Sequence, residues 1–192
     1  MKQSLKTFLA VGLTSALLML AGCVVTSVYP YYKAEDVTFE PKLLGRWTNP
    51  EEPEATNAFW EFSRGAEFAY TLTVNESGKQ TPLHAHLFRL ERWTFLDLMP
   101  TEEHDDFVPP HYLLKVVQVE PALKLEMFNY SWVSELIGKQ PATLQHLYVG
   151  AKSNETGRLV LTASTEELQK FILKHADNTN AFTDGVTLER KP

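Results

Sequence analysis

The chain has 192 residues, a formal charge of −6 at neutral pH, 44% hydrophobic residues and a single cysteine, Cys23. That length fits one domain with enough apolar side chains for a real core, and no basic patch points to nucleic acid or anionic lipid as a partner. One cysteine excludes an intrachain disulfide, so core packing alone must stabilise the fold.

Lys2 and Lys6 open the chain without an acidic neighbour, Phe8 to Ala21 is apolar apart from Thr14 and Ser15, and small residues precede Cys23. This is the layout of an export signal, and it is shorter than the ~20 apolar residues of a membrane-spanning helix. Leu20-Ala21-Gly22-Cys23 resembles the lipobox of bacterial lipoproteins. The resemblance implies diacylglycerol transfer to the Cys23 sulfur, cleavage between Gly22 and Cys23, and acylation of the new amino terminus. A thiol suits that alkylation, and each buried methylene adds ~0.8 kcal/mol, so two or three chains make release negligible. Val24 stands where, by resemblance to the sorting rule of enteric bacteria, an aspartate would favour the inner membrane. The expected location is therefore the outer membrane, facing the periplasm. The expected division is a signal peptide over 1–22, a lipidated cysteine and tether over 23–41, and a single domain over 42–192.

Val24 to Pro41, with Tyr29-Pro30-Tyr31-Tyr32, has no clean period and reads as a tether that becomes a docking strand or loop. From Leu43 onward the strands begin. Ala58 to Ser63 and Glu67 to Val74 are aromatic and β-branched, with Phe68, Tyr70, Leu72 and Val74 alternating against polar or small residues, so one face is buried. Asn75 to Lys79 supplies a hairpin turn, and the chain returns through Pro82 to Leu90. Trp93 to Met99 and Tyr112 to Val119 form a second pair around a proline-containing loop, and Glu120-Pro121 turns the chain into Leu123 to Phe128. Ser131 can cap a short helix bearing Trp132, Val133, Leu136 and Ile137, stopped before Pro141. Leu144 to Val149 and Arg158 to Thr162 are strands around a turn at Asn154 to Gly157. Ser164-Thr165-Glu166-Glu167 is a capping box opening a helix over Thr165 to Ala176, and Thr183 to Arg190 is a final strand. The pattern predicts a mainly β fold: an antiparallel lipocalin-like barrel or strongly curved sheet of about eight to ten strands, two short helices inserted late, and the last strand free to pair with the first.

Leu43-Leu44-Gly45-Arg46-Trp47 is similar to the Gly-x-Trp signature of the lipocalins and wider calycins. By that resemblance Gly45 and Trp47 belong to the closed end of a barrel, and Arg190 is the last-strand arginine that lies over the tryptophan. Such a cation–π stack is a fold device worth about 1 kcal/mol or more when desolvated. The other short lipocalin motifs are absent, and the helix near 131–139 is an addition to that fold. The span from Tyr29 to Arg190 is also similar to a group of uncharacterised bacterial lipoproteins, through Asp36-Val37-Thr38-Phe39, Phe95-Leu96-Asp97-Leu98 and Leu161 to Leu168. That likeness implies a fold and no activity.

Chemistry-bearing residues are sparse. His84 and His86 lie two apart on a strand, with side chains on one face ~7 Å apart, a spacing that can share a metal, and His104 and His111 bracket the proline loop. A metal site needs three or four converging ligands, so solvent-facing or hydrogen-bonded histidines are the plainer reading. Glu102-Glu103-His104-Asp105-Asp106 lacks the alternation and glycine of a calcium loop, and Glu51, Glu52 and Glu54 read as an exposed connection. There is no Gly-x-Ser-x-Gly elbow, spare cysteine or phosphate-cradling glycine loop. Trp60, Phe62, Phe68, Tyr70, Phe88, Trp93 and Phe95 suit a barrel core or a lipophilic cavity equally.

The expected function is a non-catalytic, cofactor-free accessory module, joined to a membrane through Cys23 and binding a hydrophobic small molecule or an envelope protein. One alternative is a structural partner of an outer-membrane complex with a filled core. Another is a metal-dependent enzyme using His84 and His86.

Overall fold

A computed structural model describes residues 24–51, 58–66, 69–76, 78–101, 108–150 and 158–191. Gly22 and Cys23 with the leader, Glu52, Glu54, Glu67, Phe68, Ser77, the Glu102 to Asp106 run with His104, and the Asn154 to Gly157 turn all lie outside the described residues.

Period-two alternation builds the wall of a barrel. Strands β2 (Gly45–Thr48), β3 (Phe59–Arg64), β4 (Tyr70–Glu76), β5 (Lys79–Leu90), β6 (Trp93–Pro100), β7 (His111–Gln118) and β8 (Ala122–Phe128) run antiparallel in chain order, and β11 (Phe182–Arg190) sits between β8 and β2. These 8 strands close into an antiparallel barrel. In the register, Phe62 opposes Leu72, Leu72 opposes Leu83, Leu87 opposes Leu96 and Leu96 opposes Leu114. The inward set therefore stays in phase around the wall. Closure comes where Arg190 pairs with Trp47, the expected pairing of last strand with first. Trp47, Trp60, Phe62, Tyr70 and the inward leucines form one buried cluster.

The seam between β11 and β8 contains a bulge, with a register shift between Thr183 and Val186. Gly185 lies in it. A Cβ there would stand 1.8 Å from the Leu125 carbonyl oxygen, so close backbone approach explains a glycine inside a strand.

A second core lies outside the barrel. Phe88, Phe95, Leu113, Phe128 and Phe182 point away from the inner cluster and pack under α1 (Tyr130–Lys139) and α2 (Thr165–His175). Their rings form a continuous chain: Phe88 to Phe95 at 5.5 Å between centroids, Phe95 to Phe182 at 5.9 Å, Phe182 to Phe128 at 5.2 Å, and Phe128 to Phe171 of α2 at 6.1 Å. This corrects the expectation of a single aromatic interior: Trp60, Phe62 and Tyr70 belong to the inner cluster, whereas Phe88 and Phe95 belong to the outer layer and Trp93 packs at its margin. The Lys115 ammonium donates to the Ala176 carbonyl at the end of α2 (3.0 Å) and sits 4.4 Å from the Trp93 ring, tying that helix to the wall.

Both helices start at side-chain caps. Ser164 and Glu167 form the expected capping box on α2. On α1 the cap is Asn129, which corrects the expectation of Ser131. The Asn129 side-chain oxygen Oδ1 accepts the Trp132 N–H at 3.0 Å, and its Nδ2 donates to Thr183 Oγ1 at 2.7 Å, so one side chain starts the helix and joins it to β11.

The stretch expected as a tether becoming a docking element is docked from Val24 onward. Val24 bridges Asn129, and β1 (Thr26–Ser27) lies between β7 and β10 (Arg158–Leu161), antiparallel to the first and parallel to the second. β9 (His146–Val149) completes the sheet beyond β10. Farther along, the Thr38 N–H donates to the Leu87 carbonyl at 2.8 Å, and Phe39 stacks on Tyr70 at 4.9 Å.

Candidate functional site

Asp97 is the one charged residue found buried among the described residues, with no exposure at all. It sits in the apolar strand run Phe95-Leu96-Asp97-Leu98, on the outward face of β6. An uncompensated carboxylate there would cost several kcal/mol, roughly, so its two oxygens must be satisfied. One oxygen lies 2.8 Å from His111 Nδ1 on β7, and the other accepts the Tyr31 backbone N–H at 2.9 Å. A carboxylate on the wall thus holds the strap that crosses it.

Three rings surround this pair. His86, the cross-strand partner of Asp97, stacks on Tyr32 with centroids 4.4 Å apart and planes 21° from parallel. Tyr31 is fully buried, and its hydroxyl has no hydrogen-bond partner among the described residues. Burial first, and the Asp97 charge second, push the Tyr31 phenol well above its ordinary pKa and raise that of Tyr32 to about 12. Burial lowers the His86 pKa; Asp97 opposes that shift, while His84 and His111 add to it.

The His111–Asp97 contact has the form of a base-orienting dyad, since a carboxylate on Nδ1 leaves Nε2 to act. What it lacks is a nucleophile. Ser27, directly across the ladder from His111, uses its Oγ to accept the Tyr29 N–H at 3.2 Å. The arrangement can fix a strap. Among the described residues it has no reacting atom placed for catalysis.

His84 and His86 share the outward face of β5, but His84 is exposed and His86 is half-covered by Tyr32. Among the described residues, no group of three His, Cys, Asp or Glu side chains is arranged to hold a metal ion. Asp97 was not singled out as a site residue in the sequence. The available signal was a lone carboxylate inside an apolar strand.

At one end of the barrel, Gly45 has φ +110°, and a Cβ there would meet Arg190 Nη1 at 2.8 Å. Arg190 lies over the Trp47 ring at 4.4 Å and donates to the carbonyls of Leu44, at 2.6 Å, and Lys42. Trp47 is fully buried and donates its indole N–H to the Leu43 carbonyl at 2.9 Å. These contacts tie the first wall strand, the last strand and the segment before Gly45 together.

Comparison of the chain with protein families, with described proteins and with solved structures found no match.

The histidine shifts give a pH dependence of stability. A folded-state pKa below the ordinary 6.5 means that the unfolded chain takes up the proton first, so stability is retained above 6.5 and falls as pH drops below it. His175, half-buried against Trp132 and Phe171, is shifted in the same direction by burial first and Lys174 second. Urea midpoints measured between about pH 7 and pH 5.5 should therefore decline on acidification. The decline should be shallower in His86→Phe, which keeps a ring against Tyr32. An unchanged slope in that variant would contradict the assignment.

Proposed function

We propose that this protein is a lipid-anchored accessory lipoprotein of the bacterial envelope, held through Cys23 at the outer membrane and facing the periplasm, where its outer surface contacts an envelope protein. The observation that carries the reading is the direct succession of two features. The lipobox-like Leu20 to Cys23 is followed at Val24 by chain already bridged into the fold. An anchor so placed holds the domain against its membrane. No helix among the described residues is long and apolar enough to cross a membrane.

The inner cluster around Trp47, Trp60, Phe62 and Tyr70 favours work at the outer surface over carriage of a hydrophobic molecule. Two experiments test the proposal. Cys23→Ser should abolish both lipid attachment and cleavage after Gly22, read by mass spectrometry of the membrane fraction. An unmodified Cys23 in the parent protein, or an amino terminus elsewhere, would refute the anchor. Crosslinking in intact cells should then recover a stoichiometric envelope protein, and its absence, with a bound lipid found instead, would favour a hydrophobic-ligand carrier.

A further inference from the structure

Strand β9 is the terminal strand of the sheet, and its Leu147, Tyr148 and Val149 are 58%, 43% and 44% exposed. The other large apolar side chains exposed among the described residues, Tyr29, Val108 and Val117, are separated in the chain. Leu147 and Val149, two apart on the strand, share one face of this edge, while Tyr148 lies on the other with its hydroxyl 3.1 Å from Ser134 Oγ; an exposed apolar pair on a sheet edge calls for a cover.

The register places this edge beside the start of the folded chain. Thr26 pairs with Val160, and Val160 with Leu147, so β9 lies two strand spacings, ~10 Å, from β1. β1 is parallel to β10, so the chain preceding Thr26 runs toward the end where Arg158 pairs with Val149. Val24 is bridged to Asn129, and Cys23 precedes it by one peptide, ~3.8 Å between Cα atoms. An acyl group on Cys23 would therefore have no slack of chain to carry the domain away from the bilayer. Arg158, exposed and paired across the ladder with Val149, offers a guanidinium to headgroup phosphates.

Resting on the anchor reading above, we infer that the β9 edge is a membrane-contact surface: Leu147 and Val149 enter the headgroup region of the bilayer that holds the Cys23 lipid and fix the orientation of the barrel. The occupant is the lipid surface, and protein cover of β9 is a rival outcome.

The test uses the full chain matured in the envelope, where lipidated Cys23 leaves no free thiol. Leu147→Cys, Val149→Cys and Ser63→Cys are each labelled with an environment-sensitive fluorophore and reconstituted in phosphatidylethanolamine–phosphatidylglycerol vesicles with and without spin-labelled lipid. Ser63 is an exposed residue of β3, on the wall opposite β7. Quenching at 147 and 149 should exceed that at 63 by about threefold or more. Equal quenching at all sites on a lipidated protein that floats with the vesicles overturns the inference alone. So does a blue-shifted but unquenched label at 147, which would mean that a second copy or another protein covers the strand. An unmodified Cys23 overturns the anchor reading, and the inference with it.

Discussion

Gly185→Ala is expected to destabilise the protein by about 3 kcal/mol or more, among the largest effects available to a single methyl group. The new Cβ would meet the Leu125 carbonyl oxygen at 1.8 Å, its carbon at 2.8 Å and Glu126 Cα at 2.9 Å. All three are backbone atoms of β8, so no side chain can swing away. Relief requires separating β8 from β11, one of the seams that close the barrel. Gly138→Ala in α1 supplies the contrast, because nothing lies within 4 Å of a Cβ there. Removing a helical glycine should stabilise by about 0.5–1 kcal/mol. Urea denaturation followed by circular dichroism reads both. A Gly185→Ala midpoint equal to the parent's would show that the bulge opens at no cost.

Asp97→Ala should cost about 3–5 kcal/mol, since it strands His111 Nδ1 and the Tyr31 N–H in a buried layer. Asp97→Asn keeps an acceptor for Tyr31 and a group opposite His111, and should lose less, about 1–3 kcal/mol. The damage should begin at the strap. Limited proteolysis of Asp97→Ala is expected to cut within the segment containing Tyr31 and Tyr32 before it cuts the barrel strands, because those residues lose their tie to the wall. A variant within about 0.5 kcal/mol of the parent, with an unchanged cleavage pattern, would mean that ring packing alone holds the strap.

The legible parts of the fold are those governed by short-range rules. Tyr70, Leu72 and Val74 alternate because one face of β4 meets the barrel interior, and Ser164 with Glu167 caps α2 from within four residues. Strand β1 escaped because two residues cannot display a period. The outer core escaped for a different reason. Phe95, Leu96, Asp97 and Leu98 are all buried, as are His111 to Leu114, because those strands are covered on both faces. Such continuous apolar runs look alike whether the second face meets a helix layer or a cavity, so the sequence does not divide its aromatic residues between two cores.

The candidate site shows the same boundary. The sequence by itself determined which residues become strand or helix, and therefore that Asp97 would lie in an apolar strand, because alternation and capping act over a few residues. The tertiary structure alone decided what Asp97 meets. Tyr31 is 66 residues away in the chain and His111 is 14, and the Arg190 guanidinium reaches the Leu44 carbonyl across 146. These partners are brought together by strand order and register, which depend on how the whole set of faces can be buried at once. No local pattern encodes that, since each residue would look the same beside a different neighbour.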